Sequence, residues 1–255
     1  MPTSPFLDFF GCVEIIHLPA RTDRYASLAR ELDRIGIAVD DSRVRFPDPP
    51  MPADANGFPG RGVYGNHLSH LDILRRARDA KLPAVWVLED DAIFRTSLSR
   101  PEEQQRIVEL LRQQPWDMCF FGHALPSTEF KSAPKGLVPL SRSSKWAHCY
   151  AVHERALPRL VAYLEDVERR PEGHPEGGKM YIDGSFSLYR EKNPDFIALF
   201  ANPVLSVQRG STSSLASTHW RERLSPRERI VQLGRECRDE MWRRTGIYVW
   251  NAPTG

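Results

Sequence analysis

The chain has 255 residues with 35 Lys+Arg against 33 Asp+Glu, so its formal net charge is +2. That balance offers no field for nucleic acid and no polybasic surface for a membrane, while the length suffices for one large α/β domain or two small ones. Cys12, Cys119, Cys149 and Cys237 are scattered without a C-x-x-C spacing, which argues against a zinc site or a disulfide framework and for reduced thiols in a cytoplasmic protein. No apolar stretch approaches the ~20 residues of a membrane helix, and the first ten residues lack the pattern of a signal peptide. A soluble protein is expected, with a peripheral contact at the inner face of a membrane left open.

In chain order, residues 12–18 read as a first strand and 19–23 as a turn into a helix over 24–35, with Leu28, Leu32 and Ile35 at helical spacing and Gly36 ending it. A second strand is expected within 37–46, followed by a Pro/Gly-rich loop over 47–62. A helix over 64–80 carries Leu68, Leu71, Ile73 and Leu74 partly on one face and feeds the most informative stretch of the chain. There an apolar run over 84–88 ends in Glu89, Asp90 and Asp91 before Ala92, Ile93 and Phe94 resume it.

A short apolar run of this kind is a buried strand, and three consecutive acids at its end repel one another unless a cation lies between them. Oxygen ligands of this hardness suit Mg²⁺ or Mn²⁺. The plain alternative is a solvated strand-to-loop junction. Within a strand-like segment Glu89 and Asp91 project to one side and Asp90 to the other.

Further on, the pattern predicts a helix over 101–113, strands over 116–121 and 147–152, a helix over 154–168 and a flexible loop over 169–179. A charged helix over 225–245 has Ser225 as N-cap and Pro226 at the first helical position. Alternating strands and helices point to an α/β fold with a mainly parallel central sheet, whose ligand sits beyond the carboxyl ends of the strands. Glu89, Asp90 and Asp91 fall there. Arg21 and Arg24 follow the first strand, where a guanidinium can fork onto phosphate oxygens, although the same residues read equally as a solvated helix start.

Several segments together resemble glycosyltransferase family 25, the lipooligosaccharide and procollagen glycosyltransferase family. Ile15-Ile16-His17-Leu18-Pro19-Ala20-Arg21-Thr22-Asp23-Arg24 is similar to its opening strand and Arg-containing turn, with His17 in place of the usual Asn. Gly65-Asn66-His67-Leu68-Ser69-His70 resembles a Gly-Cys-x-x-Ser-His element, with Asn66 in place of Cys. Leu88-Glu89-Asp90-Asp91 matches the Glu-Asp-Asp signature, and Trp116-Asp117-Met118-Cys119-Phe120-Phe121-Gly122 resembles the strand that follows it. Ala147-His148-Cys149-Tyr150-Ala151-Val152 and Ile182-Asp183-Gly184 complete the ordered set. The chain departs from the family at Gln208-Arg209-Gly210-Ser211-Thr212-Ser213-Ser214, which has no acid where the family often has Ser-Asp-Ile.

The resemblance implies a GT-A nucleotide-diphospho-sugar transferase fold, Rossmann-like, over residues 12–215, with a C-terminal helical extension over 216–255. It implies an inverting transfer of a hexose, galactose or a close relative, from a UDP-sugar to a saccharide or glycolipid acceptor of a bacterial surface glycan such as lipopolysaccharide. Mn²⁺ or Mg²⁺ is the implied cofactor. Asp183 is then the candidate base; Leu18, Arg21, Arg24, Ser69, Glu89 and Asp90 the donor-binding set; and Asp91, Glu89 and His219 the metal ligands, with His148 as the alternative histidine. Two other readings stay open: a protein-directed transferase of the collagen-modifying kind, and a GT-A fold that only binds a nucleotide or carbohydrate.

Overall fold

The computed structural model describes residues 4–125, 127–141, 143–209 and 239–243. Helix α1 (Pro5–Phe10) precedes strand β1 (Val13–Ile16), helix α2 (Thr22–Arg34), the two-residue strand β2 (Val44–Arg45) and the long helix α3 (Arg61–Asp79). Strand β3 (Ala84–Glu89) and the short β4 (Ala92–Phe94) flank the acidic turn, followed by α4 (Pro101–Gln113), β5 (Met118–Phe120) and β6 (Gly136–Pro139). The remaining elements are β7 (Cys149–His153), α5 (Leu157–Arg169), α6 (Ile182–Lys192), β8 (Ala198–Asn202) and β9 (Ser206–Gln208).

Seven strands form the central sheet in the order β2-β1-β3-β7-β5-β8-β6. Strands β1, β2, β3, β5 and β8 run one way, and β6 and β7 the other. The expected α/β class with a mainly parallel sheet flanked by helices is therefore observed. Burial of both faces explains why β3 is apolar from Ala84 to Leu88. Trp86 and Leu88 pack with α1, α2 and α4 on one face, while Val85 and Val87 pack with α3, α5 and α6 on the other.

Helix α1 was not expected. Its Phe6 and Phe10 are buried against Trp86, with ring centroids 5.5 and 5.8 Å away, so six residues of low helical content are held by long-range packing. The second strand shrinks to two residues, and β4 and β9 form a separate two-stranded sheet beyond the carboxyl end of β3. Cys12, Cys119 and Cys149 are buried free thiols. Among the described residues no helix is long and apolar enough to cross a membrane. Of the expected C-terminal helix, residues 239–243 are described and helical; the rest of that extension, with His219 and Cys237, lies outside the described residues.

Candidate active site

The parallel pairing of β1 with β3 sets Ile16 beside Glu89, so the two chains leave the sheet together. The Asp90 amide donates to the Ile16 carbonyl at 3.1 Å. His17 and Asp90 therefore begin adjacent turns, and His17 Nδ1–H donates to Asp90 Oδ2 at 2.9 Å. Arg24, one turn into α2, donates from Nη1 to Asp90 Oδ1 at 2.7 Å and stands 3.6 Å from Asp91 Oδ2. Asp90 thus has both oxygens engaged by neighbouring donors.

Glu89 continues the face of Val85 and Val87 and meets α3. Asn66 Nδ2 and His70 Nε2 both lie 3.2 Å from its Oε1, and Gln208 Nε2 donates to its Oε2 at 3.2 Å. A carboxylate only accepts, so His70 Nε2 carries the proton toward Glu89, and its Nδ1 lies 2.8 Å from the Tyr150 hydroxyl. Burial pushes Glu89 up, but the hydrogen bond and charge of His70, with the Asn66 amide, outweigh it and hold the carboxyl well below its ordinary range.

Asp91 is different. It is 9% exposed, its Oδ1 has no hydrogen-bond partner, and Arg24 is the cation beside it. Burial first, then the charges of Glu89 and Asp90, push its carboxyl up to about 8 against the pull of Arg24. The strand ends at Glu89, and beyond it Asp91 shares Arg24 with Asp90.

Beyond the turn, Ala92 pairs with Gln208, and the Arg209 amide donates to the Asp91 carbonyl at 2.8 Å. The segment that departs from the family's acidic pattern thus supplies an amide to Glu89 instead. On the other flank, the Glu89 amide donates to the His148 carbonyl at 2.8 Å. Two residues earlier, Trp146 adopts a left-handed φ of 73°, and its amide donates to Asp183 Oδ2 at 3.2 Å. Asp183 Oδ1 accepts from Gly184 N at 2.8 Å in the first turn of α6. Asp183 is thereby tied through one short segment to the edge that carries the acids. His148 itself is buried with Nε2 3.2 Å from Ser206 Oγ. A Cβ at Gly122 would lie 2.4 Å from its ring, so that close approach requires glycine.

The other sequence candidates take quieter positions. Arg21 already forks onto Asp23, with Nε and Nη2 each at 2.9 Å. Ser69 turns its hydroxyl back onto the Gly65 carbonyl at 2.9 Å. Leu18 follows β1 and caps the turn by accepting from Arg21 N at 2.8 Å. A groove lined by Ile16, His17, Pro47, Pro50, Ser69 and Ile73 opens beside them. Sequence reasoning gave no role to Gln208 or Tyr150, and its entries for Asn66 and His17 were substitutions within a motif. A partner more than a hundred positions away leaves no local signal.

Among the described residues, no group of three or more His, Cys, Asp and Glu side chains is arranged to hold a metal. The donor set still fits a hard divalent ion that takes most of its shell from phosphates and water, because such ions need one or two carboxylates and Asp91 offers a buried, unpartnered oxygen. No family model matches the chain, and no curated protein matches it. Among solved structures the chain is similar to a glycosyltransferase involved in the glycosylation of the major capsid of PBCV-1, at 14% identity and a TM-score of 0.47, over 90% of this chain and 99% of that one.

Proposed function

We propose that the chain is an inverting GT-A glycosyltransferase that moves a hexose from a UDP-sugar to a saccharide acceptor. Galactose and a bacterial surface glycan such as lipopolysaccharide are the first donor sugar and acceptor class to test. The observation that carries this reading is the unpartnered, buried Oδ1 of Asp91 within a cluster of three acids. A purely structural turn has no use for a carboxylate that burial and like charge both disfavour. The ordered resemblance to family 25 supports the same reading.

A bound Mn²⁺ or Mg²⁺ would be held by Asp91, with Glu89 as the second acid, and would supply Lewis-acid neutralisation of the departing diphosphate. Arg24 fixes the relative positions of Asp90 and Asp91, and His70, Asn66 and Gln208 fix Glu89. Arg21, bidentate on the half-exposed Asp23, is the further cation that would meet a phosphate in this reading.

Asp183 is the base in this reading. Its oxygens each accept one backbone N–H, which leaves lone pairs for an acceptor hydroxyl. As that hydroxyl attacks the anomeric carbon, its proton passes to Asp183; the new glycosidic bond forms, the bond from that carbon to the diphosphate oxygen breaks, and UDP departs with inversion. The test is UDP release from a panel of UDP-sugars with oligosaccharide acceptors, with and without Mn²⁺. Metal-dependent, acceptor-dependent release supports the proposal; tight binding of every UDP-sugar without release under any condition replaces it with a binding role.

A further inference from the structure

Residues 239–243 pack against β4 and β9 beyond the acidic turn, and their contacts are specific. Trp242 is fully buried and packs with Ile93 of β4 and Val207 of β9, and partly buried Trp146 and Val204 pack against the same group. Arg243 pairs with the buried carboxylate of Glu31 on α2, and the other oxygen of Glu31 accepts from the amide of Phe94 at 3.0 Å. Thr96 Oγ1 donates to the Arg243 carbonyl at 2.9 Å. Ile93 lies two residues beyond Asp91, Val207 sits beside the Gln208 that holds Glu89, and Trp146 is the residue whose amide holds Asp183.

One buried cluster built around this indole therefore joins the segment that follows Asp91 to the two segments that donate to Glu89 and to Asp183. The β4–β9 pair has three residues a side, too short for a hairpin to hold its geometry without packing. Trp146 keeps a backbone conformation that bulky residues avoid, and such a conformation persists only where surrounding contacts fix it.

We propose that Trp242 and Arg243 are positioning residues: the docked C-terminal segment sets the geometry of the acidic turn and of the Trp146 segment, and so acts on the site without touching substrate. The catalytic consequence rests on the glycosyl-transfer reading, whereas the structural one does not. The experiment compares wild type, Trp242→Ala, Trp242→Phe and Arg243→Ala in the full chain by amide hydrogen exchange and by UDP-release kinetics over a Mn²⁺ titration.

In Trp242→Ala, exchange should quicken at least tenfold at amides 92–94 and 206–209 with β1, β3 and β7 unchanged. The apparent KM for Mn²⁺ should rise at least tenfold. Trp242→Phe should restore most of both, and Arg243→Ala should show a smaller effect at 92–94. Unchanged exchange at those amides, or an equal rise throughout the sheet, overturns the proposal. So does local loosening that leaves the Mn²⁺ dependence of a working enzyme untouched. If wild type releases no UDP with any donor, the transferase reading fails by itself, and the exchange pattern still decides whether the segment holds the turn.

Discussion

Two buried carboxylates lie at opposite ends of the same sheet and are treated in opposite ways. Asp117 precedes β5 at the amino end; Arg155 Nε reaches its Oδ1 at 3.0 Å, while Arg159 Nη2 at 3.1 Å and the Ile197 amide at 2.7 Å meet its Oδ2. Asp91 follows β3 at the carboxyl end, shares one guanidinium with Asp90, and keeps an oxygen without a donor. Both are nearly inaccessible, so burial alone does not separate a structural acid from a functional one. What separates them is whether the fold supplies enough donors. The satisfied Asp117 ties strands to a helix; the unsatisfied Asp91 is, in the proposed function, held ready for a cation.

The largest expected effect is on Asp91. Asp91→Asn should lower the rate of UDP release by roughly 10³-fold, the scale of losing one electrostatic contact to developing charge, while thermal unfolding stays at or above wild type because an isosteric neutral amide replaces a carboxyl whose charged form the site disfavours. Asp117→Ala should do the reverse. Removing it strands an amide and two guanidinium contacts, and a loss of about 3 kcal/mol in urea unfolding is expected, with turnover per folded molecule unchanged. If both variants lose stability equally and turnover equally, the contrast between the two acids is wrong.

Acid stability gives an intermediate effect that arises away from the acidic turn. His67 and His123 are buried and their ring pKa values are lowered to about 4, chiefly by desolvation. The unfolded chain binds these protons near pH 6.5 and the folded one does not, so the stability they allow is full above pH 6.5 and falls as pH drops toward 4. Urea titrations should show a loss of roughly 1 kcal/mol for each by pH 5.5, and the same loss in Asp91→Asn. The smallest effect concerns Tyr150→Phe, which removes the hydroxyl hydrogen-bonded to His70 Nδ1. Outer partners of this kind change metal affinity by about tenfold when lost, and a Mn²⁺ titration of activity should move by that factor with little change in melting temperature.

Much of this arrangement was legible in the sequence. The apolar run over 84–88 with acids at its end located a strand buried on both faces and the acidic turn at its carboxyl end, because period and charge are local signals. The ordered motifs placed Arg24 and Asp183 near the same edge. What stayed hidden was pairing across distance: His17 with Asp90 across 73 positions, Tyr150 with His70 across 80, and Gln208 with Glu89 across 119. The three-residue strands β4 and β9 were hidden too, since they are too short to show a period. The folding of α1 under Trp86 depends on aromatic contacts that no local pattern announces.

The most direct measurement of the central claim is Mn²⁺ binding in the presence of UDP, by titration calorimetry, for wild type and Asp91→Asn. Wild type should bind one ion in a UDP-dependent manner, and Asp91→Asn should weaken that binding by at least a hundredfold with its fold intact. Equal binding by the two proteins, or no UDP-dependent binding by wild type, would contradict the assignment of Asp91 as the acid that receives the metal.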